Sequence, residues 1–267
     1  MIVDEELVRR IEASAARVTT ATVAAYIGHS GNAPARGAPF GGGALAAFGP
    51  GRYVNRAVGV SLDDIDEGGL DELEKFYAAS GVPPSLEVAS WAPPVLIKRL
   101  AARGYVTEWF RNVYACALED LTILTHPTMM VREVDAGSLD EWLAVIRAGH
   151  NFTSTQTIEV SDEYARAAHA LPGATDYLAE IDGNPAGCGS LVRDEGIGWL
   201  GGATTIGRFR ERGVQGALVR ERMVAAQASG CDLAVATAIP AGASARNLSR
   251  LGFTLAYCQA VMTRLDR

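Results

Sequence analysis

The sequence contains few of the residues from which disulfides and metal sites are built. Its 267 residues include four cysteines and four histidines. The cysteines, Cys116, Cys188, Cys231 and Cys258, lie far apart and form no C-x-x-C pair, and the histidines are equally scattered. This spacing favours reduced thiols, as expected for a cytoplasmic protein, and it indicates no metal site.

Positive charge and long apolar runs are also scarce. Lys and Arg together number 24 against 31 Asp and Glu, which gives a formal net charge of −7. A nucleic-acid partner requires an excess of Lys and Arg, so we expect none. We expect no membrane partner either, because the sequence lacks an apolar run of about 20 residues and its acidic start is unlike a signal peptide. With 48% hydrophobic residues, the chain can build an ordinary core.

The most informative segment runs from Gly207 to Val219, with the sequence GRFRERGVQGALV. It follows a strand-like run and opens a helix-like one. A small-residue loop at such a junction lets backbone N–H groups converge on an anion, and the helix N-terminus adds positive partial charge. Three arginines, Arg208, Arg210 and Arg212, surround the loop. The pattern predicts an anion site; the alternative is an ordinary strand-to-helix turn with solvated arginines.

The elements that follow this loop come in a definite order. Apolar residues from Ala217 to Ala228 recur at helical spacing, and Gly230 ends that helix. The run Leu233–Thr237 is apolar without helical periodicity, which predicts a buried strand. A short helix then ends at Gly252, and the alternating residues from Phe253 to Leu265 predict a pair of closing antiparallel strands.

Two of these segments resemble signatures of the GNAT superfamily of acyl-CoA-dependent acyltransferases. Arg210-x-x-Gly213-x-Gln215 resembles the Arg-x-x-Gly-x-Gly/Ala loop that holds the pyrophosphate of coenzyme A, with Gln215 where the family usually has Gly or Ala. The segment Ser244-x-Arg-Asn-x-x-x-x-Gly-Phe253 resembles the family's closing signature. The resemblance covers residues 128–267, and it implies an N-acetyltransferase with acetyl-CoA as co-substrate, no metal, and a small-molecule or peptide amine as acceptor.

The resemblance also implies which residues form the site. The tyrosine that the family commonly places four residues before the closing Gly is replaced by Leu248. Tyr257, in the following strand, is the candidate acid, although a strand tyrosine is more often a packing residue. His150, between the first two helices of this half, is the second catalytic candidate, against the alternative of a surface histidine. Arg246 either reaches a phosphate or is a solvated helix charge. The residues implied to contact the coenzyme are Ala203, Thr204, Thr205, Arg210, Glu211, Arg212, Gly213, Val214, Gln215, Gly216, Ala217 and Asn247.

The first half of the chain repeats the second in part. Ile97–Tyr105 and Ser244–Phe253 are both predicted short helices closed by Gly and an aromatic residue. Where the second half has the arginine-rich loop, the first has the acidic segment Asp63–Leu70, which repels phosphate. We therefore predict an α/β (α+β) fold of two tandem GNAT-like domains, residues 1–125 and 126–267, each a mixed, mostly antiparallel sheet flanked by helices. The first, degenerate and incomplete, is expected to bind no coenzyme; the alternative is an unrelated α+β domain.

Two stretches are predicted to lack regular structure. Residues 118–127 would form the linker between the domains. Residues 31–51, rich in Gly, Ala and Pro, are predicted to be a loop, because no helix start follows their glycines.

Two functions are compatible with these residues. The first is an N-acetyltransferase in which an amine attacks the acetyl-CoA thioester directly. The second is a catalytically idle acyl-CoA-binding or regulatory protein, which the absent tyrosine at Leu248 and the unusual Gln215 favour. The sequence indicates neither the identity of the acceptor nor the oligomeric state.

Overall fold

The computed structural model describes residues 2–30, 35–52, 54–119 and 129–265. These residues group into two compact units. The N-terminal unit takes its described residues from Ile2–Val113, Ala238–Pro240 and Leu255–Arg267, and the C-terminal unit takes its own from Tyr114–Thr237 and Ala241–Thr254.

The described residues form eleven strands and seven α-helices. In chain order they are α1 (Glu5–Ser30), β1 (Arg36–Phe40), β2 (Gly43–Ala47), β3 (Arg56–Val58), α2 (Glu67–Ala78), β4 (Ser85–Ala89), α3 (Pro94–Ala102), β5 (Tyr105–Ala117), β6 (Met130–Glu133), α4 (Leu139–His150), α5 (Thr155–His169), β7 (Ala174–Ile181), β8 (Asn184–Asp194), β9 (Ile197–Thr205), α6 (Val214–Ala228), β10 (Leu233–Ala238), α7 (Ala243–Arg250) and β11 (Thr254–Arg264). Among these helices, none combines the length and the apolar character that a membrane span requires.

The N-terminal unit is built on a mixed sheet with the strand order β1-β2-β3-β4-β11-β5. β3 and β4 are parallel, whereas the pairs β1–β2, β2–β3 and β4–β11 are antiparallel. β11 is the last described strand, and it joins this sheet by pairing Gln259 with Ala89. Buried apolar side chains of α2, α3 and the strands form the core, among them Leu70, Leu73, Leu86, Leu96 and Met262.

The C-terminal unit is built on strands in the order β10-β9-β8-β7-β6. β9 and β10 are parallel, and the other neighbouring pairs are antiparallel. Its core includes Trp142, Leu143 and Ile146 of α4 packed on Leu178 and Cys188 of the sheet. Both units therefore have the mixed, mostly antiparallel strands and flanking helices that the sequence predicts.

Residues 36–47 form a β-hairpin, so the predicted loop over residues 31–51 is wrong in this part. Phe40 pairs with Gly43, which leaves a turn of two residues, Gly41 and Gly42, with φ of 53° and 79°. Positive φ at both positions is typical of a type I′ hairpin turn, and glycine adopts it without steric cost. The glycines therefore mark a turn between strands. Residues 31–34 of the predicted loop lie outside the described residues.

β11 runs unbroken from Thr254 to Arg264, so the predicted pair of closing strands is also wrong. The segment contains no Gly, Pro, Asn or Asp, the residue types that form tight turns. The chain consequently continues in one direction through all of these residues.

The predicted domain boundary between residues 125 and 126 lies outside the described residues, as does the predicted linker apart from Leu118 and Glu119. Leu118 belongs to the C-terminal unit. Its N–H donates to the carbonyl of Asp232 at 2.8 Å, and its own carbonyl accepts from the Gln227 side chain.

Candidate functional site

β9 carries a bulge shortly before it reaches the predicted anion loop. Between the pairs Cys188–Thr204 and Ser190–Gly201, β9 has two residues where β8 has one. The first of the two, Gly202, has a φ of 57°. A bulge bends its strand and leaves one residue outside the regular hydrogen-bonded ladder. The bulge therefore leaves a residue of β9 outside the regular ladder, close to the segment that leads into the loop.

The loop after β9 opens helix α6 with a free N-terminus. The N-cap of α6 is Gly213, in the left-handed conformation (φ 84°, ψ 0°), and no side chain caps it. The first N–H groups of α6 are thus open to an anion, and the helix dipole favours negative charge there. In the N-terminal unit, by contrast, Asp66 caps α2 by accepting the N–H of Gly69 at 2.8 Å. Of these two helix ends, the one at α6 is the one left open.

A cleft of about 880 Å³ is lined by the end of β9, the loop, α6 and α7. Its walls carry four arginines, Arg210, Arg220, Arg246 and Arg250, and one carboxylate, Glu211. A concave surface with this excess of positive charge attracts anionic ligands. The cleft is therefore the candidate site of the C-terminal unit.

Ten of the twelve predicted coenzyme contacts line this cleft. They are Ala203, Thr204 and Thr205 of β9, Arg210, Glu211 and Gly213 of the loop, Val214, Gln215 and Gly216 of α6, and Asn247 of α7. The other two lie elsewhere. Ala217 lies on the buried face of α6. Arg212 has a half-exposed side chain whose Nη2 lies 3.9 Å from the carboxylate of Asp182.

Hydrogen bonds hold two of the polar side chains in the cleft. Gln215 donates through Nε2 to Thr205 Oγ1 at 3.2 Å. Arg210 donates through Nη2 to the carbonyl of Gly149 at 3.3 Å, and through Nε to the carbonyl of Thr205 at 3.4 Å. Arg210 therefore joins the end of α4 to the end of β9 while it forms a wall of the cleft.

Sequence reasoning missed two arginines of this cleft, Arg220 and Arg250. Arg220 follows Gly216 by four residues on α6, and Arg250 follows Arg246 by four residues on α7. Residues four apart lie on the same face of a helix. Extending each predicted contact by one helical turn would have identified both.

His150 is the last residue of α4 and follows a residue that packs on β9. A Cβ added at Gly149 would lie 2.3 Å from Cγ2 of Thr204, so only glycine allows this approach. The His150 ring is exposed on one side and stacks on Phe152, with the ring centroids 5.2 Å apart. Partial desolvation lowers the pKa of His150 below its ordinary value, so the imidazole is neutral and accepts a proton at neutral pH.

Tyr257 does not line the cleft; it is buried on β11 in the N-terminal unit. Its hydroxyl donates to Glu12 Oε1 of α1 at 2.6 Å, and Gln259 Nε2 donates to the same oxygen at 2.6 Å. Glu12 is also buried, and its Oε2 has no hydrogen-bond partner among the described residues. Burial raises the pKa of Glu12 from 4.5 to about 7, and it raises the pKa of Tyr257 well above its ordinary value.

Glu12→Gln is expected to remove a pH dependence of stability. Between pH 4.5 and about 7, folded Glu12 keeps a proton that the unfolded chain has lost. The free energy of unfolding therefore falls as pH rises through this window, by up to about 1.4 kcal/mol per pH unit, and stays low above it. Glutamine offers the same acceptor oxygen without a charge. Denaturant unfolding from pH 4 to 8 should show a flatter profile for the variant and higher stability than wild type at pH 8.

Glu6→Gln is the matched control, because Glu6 is exposed on the same helix. This variant should keep the wild-type slope. An unchanged slope in Glu12→Gln would mean that Glu12 is ionised in the folded protein.

The cysteines are free thiols in this structure. Cys116, Cys188 and Cys231 are buried and Cys258 is partly buried. Within the ranges that the structure describes, no group of three or more His, Cys, Asp or Glu side chains is arranged to hold a metal ion.

Neither a family model nor a curated protein matches the sequence. Solved structures do match the fold. A GCN5-related N-acetyltransferase from Kribbella flavida is 17% identical and superimposes with a TM-score of 0.68, covering 95% of this chain and 96% of that one. A tandem GNAT protein from the clavulanic acid biosynthesis pathway is 14% identical, with a TM-score of 0.63 and coverage of 98% and 96%. A putative GNAT-family acetyltransferase from Novosphingobium aromaticivorans is 17% identical, with a TM-score of 0.54 and coverage of 92% and 97%.

These likenesses concern the fold. The tandem GNAT structure matches nearly the whole chain, so the predicted arrangement of two GNAT-like domains in tandem is confirmed. The predicted resemblance to GNAT proteins is confirmed at the same level.

Proposed function

We propose that the C-terminal unit binds acetyl-CoA and transfers its acetyl group to an amine of a small molecule or peptide. The observation that carries this proposal is the cleft itself. It combines the bulged end of β9, the uncapped N-terminus of α6 and four arginines on one surface. A nucleotide coenzyme with several phosphate groups is a ligand of matching charge and size.

The residues of the cleft fit such a coenzyme. Gly213 has no Cβ and positive φ, so a phosphate can approach the backbone closely. The N–H groups of residues 214–216 belong to the first turn of α6 and would hold the pyrophosphate. Arg220, Arg246 and Arg250 would pair with the remaining negative charge.

The chain's own groups would supply proton transfer and orientation. When bound, acetyl-CoA supplies a thioester whose carbonyl carbon the amine nitrogen attacks, so that an N–C bond forms, the C–S bond breaks and the sulfur leaves as the coenzyme A thiolate. An alkylamine has a pKa of about 10 and must first lose a proton. His150 is the proposed acceptor of this proton, which it then releases to solvent. The second proton, which the nitrogen loses as it becomes an amide, would go to the departing thiolate and give the free thiol. Backbone N–H groups between Gly202 and Thr205 would orient the thioester carbonyl.

We propose that the N-terminal unit binds no coenzyme. In the segment Asp63–Leu70, which corresponds to the arginine-rich loop, its own side chains occupy the groups that a phosphate would contact. Asp64 pairs with Arg99, and Glu67 pairs with Arg103. Asp66 caps α2 and so occupies the N–H of Gly69, one of the groups that a phosphate would need. Carboxylates at these positions also repel phosphate.

A catalytically idle acyl-CoA-binding protein is the second candidate. Leu248, where the resemblance leads us to expect tyrosine, is buried on α7 and offers no hydroxyl. Tyr257, the proposed substitute acid, donates its hydroxyl to Glu12. Such a protein would bind acetyl-CoA and never turn it over.

Calorimetric titration and a thiol-release assay test both candidates on the full chain. We expect one coenzyme A per chain, and release of free thiol from acetyl-CoA with at least one member of an amine panel. Binding without release on every amine would support the idle candidate. Absence of binding, or two coenzymes per chain, would contradict the site assignment.

The same assays test His150 and Tyr257. His150→Ala should lower kcat by roughly 100-fold, the usual contribution of a positioned base, while coenzyme affinity stays unchanged. His29→Ala, an exposed histidine on α1, is the control. Tyr257→Phe should lower kcat only if its hydroxyl reaches the reaction.

A further inference from the structure

Arg222 is a fully buried arginine in the C-terminal unit. It lies on α6 and is 1% exposed. Its Nε donates to the carbonyl of Leu218 at 2.9 Å. Its Nη1 donates to the carbonyls of Ser190 and Gly201, each at 3.0 Å.

Burial lowers the pKa of Arg222 to about 10, which leaves the guanidinium charged at neutral pH. Burying a charge costs free energy unless the charge is hydrogen-bonded, and these three bonds offset part of that cost.

The two carbonyls bound by Nη1 belong to the residue pair at the edge of the β9 bulge. Ser190 and Gly201 are the last regular pair before the bulge, in which two β9 residues face one β8 residue. One donor group therefore joins β8 to β9 at the point where the regular ladder is interrupted. Pinning both strands here fixes the shape of the bulge.

Gly189 is matched to this arrangement. It is the single β8 residue opposite the bulge. A Cβ added there would lie 2.8 Å from Cζ of Arg222 and 2.9 Å from Nη1. Any larger residue would displace the guanidinium, so glycine at 189 leaves the space that Arg222 fills.

The geometry of the peptide unit links Arg222 to the cleft side of β9. A trans peptide is planar, so the N–H of Gly202 points opposite to the carbonyl of Gly201. Because Arg222 holds that carbonyl, the N–H of Gly202 is directed away from the guanidinium. The next residue, Ala203, already lines the cleft.

We propose that Arg222 is a positioning residue for acyl transfer: through the carbonyls of Ser190 and Gly201 it holds the β9 bulge so that the backbone N–H groups of Gly202 and Ala203 are oriented toward the thioester carbonyl. This inference rests on the proposed function. Arg222 itself touches neither substrate nor coenzyme, and it acts through the backbone of β9.

Two variants disturb this contact in different ways. Gly189→Ala displaces the guanidinium while Arg222 and its charge are kept. Arg222→Lys keeps the charge but replaces the planar guanidinium, which reaches two carbonyls, by a single ammonium. In both, amide hydrogen exchange of residues 198–206 should become at least roughly 10-fold faster, since local opening is easier. Misaligned donors should lower kcat by roughly 100-fold, with KM for acetyl-CoA within about 3-fold of wild type.

Met223→Ala is the control for general destabilisation, because Met223 is the next residue on α6 and is equally buried. It should lower thermal stability and leave kcat and the exchange of residues 198–206 unchanged. An equal loss of kcat in this control, or wild-type exchange and kcat in Gly189→Ala, would overturn the proposal. If wild type binds acetyl-CoA but acetylates no amine, the proposed function fails. Faster exchange confined to β9 in Gly189→Ala would then still support the role of Arg222 in holding the bulge.

Discussion

Gly213→Asp is expected to weaken coenzyme A binding by at least roughly 100-fold, because it removes one or two charge-assisted hydrogen bonds of about 1.5–3 kcal/mol each. The new carboxylate would compete with a phosphate for the first N–H groups of α6 and would repel it. The fold should persist. Gly213 has a φ of 84°, and Asp tolerates the left-handed region at a cost of about 1 kcal/mol.

Calorimetric titration with coenzyme A and circular dichroism measure the two parts of this prediction. Gly183→Asp is the matched control. Gly183 also has positive φ, 72°, and a Cβ there would meet nothing within 4 Å. It lies in the turn between β7 and β8 and does not line the cleft. Unchanged affinity in a folded Gly213→Asp protein would show that the loop holds no phosphate.

Removal of both arginines of α7 is the second substitution with a large expected effect. Arg246→Ala combined with Arg250→Ala should weaken coenzyme A binding by roughly 10–100-fold, because two cations are lost from a cleft that has one carboxylate. Both side chains are exposed, so salt screens them, and the difference from wild type should shrink at high ionic strength. The loss should also be smaller for dephospho-coenzyme A, which lacks the ribose phosphate. Titrations with both ligands, at low and high salt, measure these effects.

Arg212→Ala separates direct contact from overall charge. Arg212 carries the same charge as the two α7 arginines and lies in the loop before α6. It is outside the cleft, 3.9 Å from Asp182. Its removal should change affinity by less than about 3-fold, as for other exposed charges. An effect as large as that of the double variant would mean that long-range charge, not contact with α7, attracts the coenzyme.

The cleft of the C-terminal unit could be predicted from the sequence because its signals are local. Gly213 begins a helix, Gly252 follows one, and the arginines between and around them are close in sequence. Helix starts, helix ends and apolar runs depend on short-range propensity. The order of elements therefore indicated the fold as well as the loop.

The rest of the site depends on residues that meet only in the folded chain. From the sequence, Arg222 is indistinguishable from the other charged residues of an amphipathic helix. Its hydrogen bonds to Ser190 and Gly201 have no signature in the sequence. The β9 bulge arises from the register with β8 and has no local signal beyond glycine. The resemblance suggests Tyr257 as the acid because it lies in the strand that follows Phe253. In the structure its strand, β11, pairs with β4, and the Tyr257 hydroxyl donates a hydrogen bond to Glu12 of α1.

The position of β11 has a consequence for synthesis. During translation the residues of β4 and β5 leave the ribosome long before residues 254–264 are made, yet β11 is the strand that lies between them. Until it arrives, the N-terminal sheet has two unpaired strand edges, which are templates for wrong pairing and aggregation. The N-terminal sheet, whose first strands are synthesised early, is therefore among the last parts of the protein to complete its strand pairing.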